Sequence, residues 1–277
     1  MMASIAFPAP VRARPGRLLA ELFDRQRTLA GYGLALLLLA IPLLVLQQFD
    51  PRLLHGVSVW VKPVKFLVSV GIFSLTAAWF FGYVRPERRR AWPMRATTGM
   101  LVAMGSFELL WIGWQASQGL DSHFNTSTPF FALMYALMGV SAVLLLGTTL
   151  PLALEIGRRP APGLRPDFVA AVVVGLALSF LLGGALGGYM SAQAGHSVGA
   201  EGGHLPLFGW NRSGGDLRIA HFLGIHAEQV IPLLAALAAP LAARARWLVL
   251  AAGAAAYVAA TVAVFAQAVA GRALLPA

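Results

Sequence analysis

Apolar residues run through this chain in long blocks, and polar residues collect in the gaps between them. A window of about 19 residues, the length suited to a helix crossing a bilayer, finds seven such blocks: 31–48, 57–84, 94–117, 129–154, 167–190, 217–243 and 246–270. None alternates in the manner of a barrel strand. The pattern predicts an all-α polytopic membrane helix bundle with seven transmembrane helices, residues 31–277 forming one domain behind a basic lead over 1–30. In that lead Leu18, Leu19, Leu22 and Phe23 recur at helical spacing among Arg17, Arg25 and Arg27. This suits a short amphipathic helix on the inner leaflet, or equally an ordered cytoplasmic lead with no such role. No small-residue cleavage site follows the run Leu34–Leu46, so that run reads as an uncleaved anchor.

Composition sharpens the class. Of 277 residues, 58% are hydrophobic and 12% charged, against about 25% charged in a soluble domain, and mean hydropathy is +0.72. One soluble core could not hide so much apolar surface, which excludes an ordinary cytosolic enzyme. The net charge of +10 raises nucleic acid as a partner, but its placement argues for a lipid bilayer instead. Arg12, Arg14, Arg17, Arg25 and Arg27 precede the first span. Arg85, Arg88, Arg89, Arg90 and Arg95, then Arg158, Arg159 and Arg165, then Arg244 and Arg246 flank alternate connections on the same side. The other side has only Arg52, Arg212, Arg218 and Arg272. The positive-inside rule therefore predicts a cytoplasmic N-terminus and, after an odd number of spans, a C-terminus outside. Cysteine is absent, which removes disulfides, thiolate zinc, iron–sulfur clusters and c-type haem attachment.

The informative residues are those that should not face lipid. Lys62 and Lys65, the only lysines, lie in the second span with Ser58, Ser69 and Thr76, within about 60° on a helical wheel. Pro63 between them is expected to loosen the backbone and free a carbonyl. The third span carries Glu108, with Trp111 and Gln115 on the same face. The sixth carries Arg218, His221, His226, Glu228 and Gln229, spread over about 160°. Counting inward at 1.5 Å per residue places Lys65 roughly 12 Å deep, Glu108 and His226 about 14 Å, and Glu228 about 17 Å. Four mid-membrane charges (Lys62, Lys65, Glu108, Glu228) would cost on the order of 10–14 kcal/mol if left alone. Pairing Lys65 with Glu108 or Glu228 in a wetted pocket would offset this, so spans 2, 3 and 6 are expected to adjoin around an outward-facing ionisable pocket. Snorkelling of Lys62, and a Lys–Glu pair that merely sets helix register, stand beside that reading.

Such a pocket suits a small anionic, carbonyl-bearing or amphipathic molecule, bound for transport or sensing, with ligand contacts from Lys62, Lys65, Glu108, Gln115, Arg218, His221, His226, Glu228 and Gln229. The alternative is a membrane-embedded enzyme with His226, Glu228 and Glu108 as catalytic candidates. A metal would draw on His221, His226, Glu108 and Glu228, although no diagnostic ligand spacing is present. A b-type haem would require His226 to meet His55 or His123 from another helix. A structural or assembly role without ligand is the third class. Serine-hydrolase, phosphate-loop and dinucleotide fingerprints are absent. Gly183-Gly184 with Gly187-Gly188 predicts close helix approach in span 5. The glycine-rich connection 191–216 reads as a lid or a loose loop. Asn125-Thr126-Ser127 and Asn211-Arg212-Ser213 match glycosylation acceptors by chance in an Ala/Arg-rich, bacterial-looking composition.

The blocks Trp60-Val61-Lys62-Pro63-Val64-Lys65-Phe66, His123-Phe124-Asn125-Thr126-Ser127-Thr128-Pro129 and Gly215-Asp216-Leu217-Arg218 through His226 resemble segments of bacterial polytopic membrane proteins of about seven spans. The resemblance implies a bacterial membrane protein and carries no activity with it; the apolar helical spans and the arginine distribution make the expected location the bacterial inner membrane, crossed several times.

Overall fold

The computed structural model describes residues 15–193, 195–205 and 208–275. Residues 1–14 of the lead, with Arg12 and Arg14, lie outside the described residues. The lead contributes α1 (Pro15–Arg25), followed by α2 (Arg27–Phe49). Gln26 separates them and caps α2, its Oε1 accepting from Leu29 N at 3.1 Å and its Nε2 donating to Thr98 Oγ1 at 2.9 Å, so one side chain satisfies a helix start and ties it to a neighbour. Leu22 and Phe23 of α1 pack on the core, while Leu18 and Leu19 stay exposed.

The remaining helices are α3 (Val61–Phe81), α4 (Trp92–Ser117), α5 (Pro129–Gly147), α6 (Thr149–Arg158), α7 (Pro166–Ala192), α8 (Leu217–Ile225), α9 (Ala227–Leu237) and α10 (Ala243–Val269). Counting α5 with α6 as Pro129–Arg158, six of these helices are long and apolar enough to cross a membrane. Hydrogen bonds internal to a helix satisfy its backbone where lipid offers no partners, which is why such sequences fold this way. The pair α8–α9 passes the same test only as a unit bent by 53°. The architecture is that of a multi-pass helical membrane protein.

Three expectations need correction. Span 2 begins four residues late, because Val57–Ser58 (β2) pairs with Leu53–Leu54 (β1) in a short hairpin; Ser58 therefore leaves the polar stripe of α3. Pro63 falls in the first turn of α3, where the missing N–H is an orphan donor in any case, so it opens no carbonyl inside the helix. Span 6 is not one helix, and its five polar residues do not share one wheel.

The break at His226 has a visible cause. Ser179 Oγ of α7 donates to Ile225 O at 2.9 Å and accepts from Glu228 N at 2.9 Å. A foreign hydroxyl thus replaces a rung of the helical ladder, one of the recognised origins of a sharp bend. Helix α7 reaches the break through small residues: a Cβ on Gly175 would lie 3.0 Å from Ala227 O, and one on Gly183 2.7 Å from Ile225 Cγ2. Gly187 meets the His221 ring, whereas Gly184 and Gly188 face open space. Close approach of helices through small residues substitutes for the hydrophobic drive that lipid removes.

The two ends of the bundle differ. At one end arginines staple the connections: Arg88 Nε to Glu155 Oε1 at 2.8 Å, Arg165 and Arg246 to the buried Asp167 at 3.2 and 3.1 Å, and Arg25 NH1 to Trp79 O at 2.7 Å with its guanidinium over the Trp79 ring. Ala161 N also donates to Tyr83 O at 2.7 Å. At the other end lie the β1–β2 hairpin, connection 118–128, the long connection with Ser197–Val198 (β3) paired to Gly215–Asp216 (β4), and the start of α3.

Candidate functional site

Trp60 ends the hairpin and caps α3, its indole Nε1 donating to Asp50 Oδ2 at 2.7 Å. Asp50 is also gripped by Arg52, whose Nε donates to Oδ1 at 2.9 Å; the hydrogen bonds from Arg52 and Trp60 hold the Asp50 carboxyl well below the usual carboxylate range. This clamp places Lys62 and Lys65 in the first two turns of α3, on one face.

Lys62 Nζ lies 3.2 Å from His123 Nδ1, and His123 Nε2 lies 4.0 Å from Glu108 Oε2. Burial, then the Lys62 charge, push the His123 pKa down to about 3, so its imidazole is neutral. Because Nδ1 accepts from the ammonium, the ring proton sits on Nε2 and faces the carboxyl. Phe66, Phe124 and Tyr135 surround the imidazole with centroids 6.1–6.4 Å away. Phe124 holds φ at 62°, a left-handed conformation costing about 1–3 kcal/mol for a bulky residue. The helix α4 fixes this loop, Trp111 Nε1 donating to Ser122 O at 3.0 Å and Gln115 Nε2 to Asp121 O at 3.1 Å. Asp121 in turn meets His55 Nε2 at 2.9 Å. Two buried oxygens on α4, Glu108 Oε1 and Gln115 Oε1, have no hydrogen-bond partner among the described residues.

Lys65 Nζ donates to Phe208 O at 2.7 Å. Beside it Arg218 is bound by Asp216, Nε to Oδ1 at 2.9 Å, and its NH2 reaches Gly209 O at 2.6 Å. Both cations therefore hold the same turn of the long connection. That turn walls a cleft of about 390 Å³ lined by Gly56, Val57, Ser58, Val61, Gly203, His204, Leu205 and Gly209. No residue of the expected ligand set lines the cleft, but a Cβ on Gly209 would stand 3.9 Å from Lys65 Nζ, so the lysine lies just behind its wall.

The rest of the expected set lies elsewhere. Gln229 Nε2 donates to Thr76 Oγ1 at 3.2 Å and to Glu228 Oε1 at 2.8 Å, and its Oε1 lies 3.1 Å from His226 Nδ1. This second group belongs to the break in span 6, with Thr76 on α3 as its link across the bundle. His221 Nδ1 sits 3.0 Å from Gly183 O and serves the α7 contact. The expected pairing of Lys65 with Glu108 or Glu228 is not formed: among the described residues neither lysine has a carboxylate within 4.0 Å, and the group within that distance of Glu108 is His123. Nor do His221, His226, Glu108 and Glu228 converge; among the described residues no group of three or more side chains could hold a metal ion. A haem bridged from His226 to His55 or His123 finds both committed, to Asp121 and to Lys62.

Asp121, Asp216 and the Phe208–Gly209 turn are not among the expected site residues, and His123 enters the expectations only as a possible haem partner of His226. Helical periodicity is silent about connections. The signal available was the dense polar run Asp121-Ser122-His123 followed by Asn125 to Thr128, far more polar than a short link between two apolar helices requires. Comparison with protein-family models, with curated proteins and with solved structures finds no match.

Proposed function

We propose that this chain crosses a bacterial inner membrane seven times, N-terminus in the cytoplasm and C-terminus outside, and binds a small anion at its outward end for transport or sensing. The seventh crossing is the bent pair α8–α9. Its first residues lie by the lysines, through Arg218 and Gly209, and its last turn meets the arginine-rich end, where Arg165 NH2 donates to Ala235 O at 3.0 Å. The arginine distribution supports the orientation.

One observation carries the binding reading. Lys62 and Lys65 donate to a ring nitrogen and a carbonyl oxygen, and among the described residues no carboxylate within 4.0 Å neutralises either. Two half-buried cations one turn apart, within electrostatic range of one another and of Arg218, stabilise an incoming anion. The break in span 6 suits a moving part, since discontinuous helices line the sites of many transporters.

The test uses the purified protein in lipid nanodiscs, its Tm read with chloride, phosphate, acetate, lactate or succinate added. A binding anion at 100 times its Kd raises stability by about 2.7 kcal/mol, and Lys62→Met or Lys65→Met removes that gain. If no anion shifts Tm and both substitutions raise it equally in every salt, the lysines are unmatched charges and the reading falls.

A further inference from the structure

Resting on the anion reading, we propose that the ligand is an anionic carbonyl compound, a short oxo acid, which Lys62 captures reversibly as an imine while Lys65 and Arg218 hold its carboxylate. Four features place this chemistry at Lys62. Its Nζ meets a nitrogen lone pair, His123 Nδ1, at 3.2 Å, not a carboxylate that would pin it as an ammonium. A second lysine one turn on and Arg218 add positive charge, set against the carboxylates of Asp121 and Glu108; a neighbouring cation is one of the features that make a lysine a nucleophile. The rings of Phe66, Phe124 and Tyr135 flank His123 but leave its side chain 22% exposed, so a small molecule can reach the Lys62–His123 pair. The cleft reaches from the bundle end to Gly209, against Lys65.

The distances suit a short molecule. Residues three apart on a helix have Cβ atoms about 5–6 Å apart, so a carbonyl carbon at Lys62 leaves room for a carboxylate near Lys65 one or two bonds away. In the reaction the neutral Lys62 amine adds its lone pair to the carbonyl carbon, and the C=O π pair moves to oxygen. His123 Nδ1 is placed to take the surplus N–H proton and return it to that oxygen. Loss of the oxygen as water, with both protons, leaves C=N. One amine and one carbonyl give one imine and one water, without oxidant or reductant. Glu108, 4.0 Å from Nε2, steadies His123 while Nδ1 carries the proton, which makes Glu108 a positioning residue.

The chain suits a direct test because Lys62 and Lys65 are its only lysines. The nanodisc protein is incubated with glyoxylate and sodium cyanoborohydride, which reduces an imine to a stable secondary amine. Peptide mapping by mass spectrometry then separates Lys62 from Lys65 and from the α-amine. Lys62 is expected to label about tenfold faster than Lys65, with lactate, the same anion type without a carbonyl, slowing it by competition. Lys65→Met should slow glyoxylate but not acetaldehyde labelling of Lys62, and His123→Gln should slow both by about 100-fold. Equal or no labelling of the lysines, with Tm still raised by glyoxylate and lactate, overturns imine capture and leaves anion binding standing. Acetaldehyde labelling Lys62 as fast as glyoxylate, unaffected by Lys65→Met or lactate, overturns the anionic class while leaving a reactive lysine.

Discussion

Replacing Ser179 with alanine isolates the device that bends span 6. The Ser179 side chain is fully buried, and its oxygen makes two bonds, to Ile225 O and from Glu228 N, each 2.9 Å. Alanine keeps nearly the same volume, so no cavity term enters; what is lost is a partner for one carbonyl and one amide at membrane depth. Interhelical hydrogen bonds in membrane proteins average about 0.6 kcal/mol and reach about 1.7, so the pair is worth about 1–3 kcal/mol. The measurement is unfolding in mixed micelles with increasing SDS, followed by tryptophan fluorescence, together with hydrogen exchange at the Glu228 amide. Ser179→Ala should lower the unfolding midpoint and speed exchange locally. An unchanged midpoint with unchanged exchange would show that small-residue packing alone sets the bend and that the hydroxyl is incidental.

Neighbouring glycines give a contrast on one helix. Gly175→Ala pushes a methyl to 3.0 Å from Ala227 O and 3.2 Å from Glu228 Cα, backbone that cannot swing aside, and should destabilise by about 1–3 kcal/mol in the same unfolding assay. Gly184→Ala meets nothing within 4 Å and should be neutral or stabilise by up to about 1 kcal/mol; equal losses at both positions would count against the packing account. For pH, His123 titrates near 3 when folded and near 6.5 when unfolded. The unfolded chain therefore binds the extra proton between those values, and stability falls as pH drops through that window, by about 2 kcal/mol at pH 5. His123→Gln should flatten that part of the profile in thermal unfolding from pH 7 to 4; parallel profiles would place His123 in contact with solvent.

Hydropathy places the six long apolar helices within a few residues, because a helix in lipid must present an unbroken apolar run. It also singled out Lys62, Lys65, Glu108 and Glu228, since a charge inside such a run stands out whatever the fold. What it could not supply was who meets whom. Depth along a helix is legible from counting, but azimuth after a break is not, and the hydroxyl of Ser179 redirects everything beyond Ile225. The partners of the lysines come from connections, His123 and the Phe208–Gly209 turn, whose geometry follows from tertiary anchors such as Trp111 to Ser122 O. The expected lysine–glutamate pair rested on cancelling charge by the shortest route; the protein instead gives each lysine a neutral lone pair.

The arginine staples on Glu155 and Asp167 have a consequence for the response to salt. They tie α4's approach, α6, α7 and α10 together at a single level. Their carboxylates are largely covered, whereas the His55–Asp121 contact at the opposite rim is exposed, so added salt should weaken that outer contact well before it loosens the arginine staples.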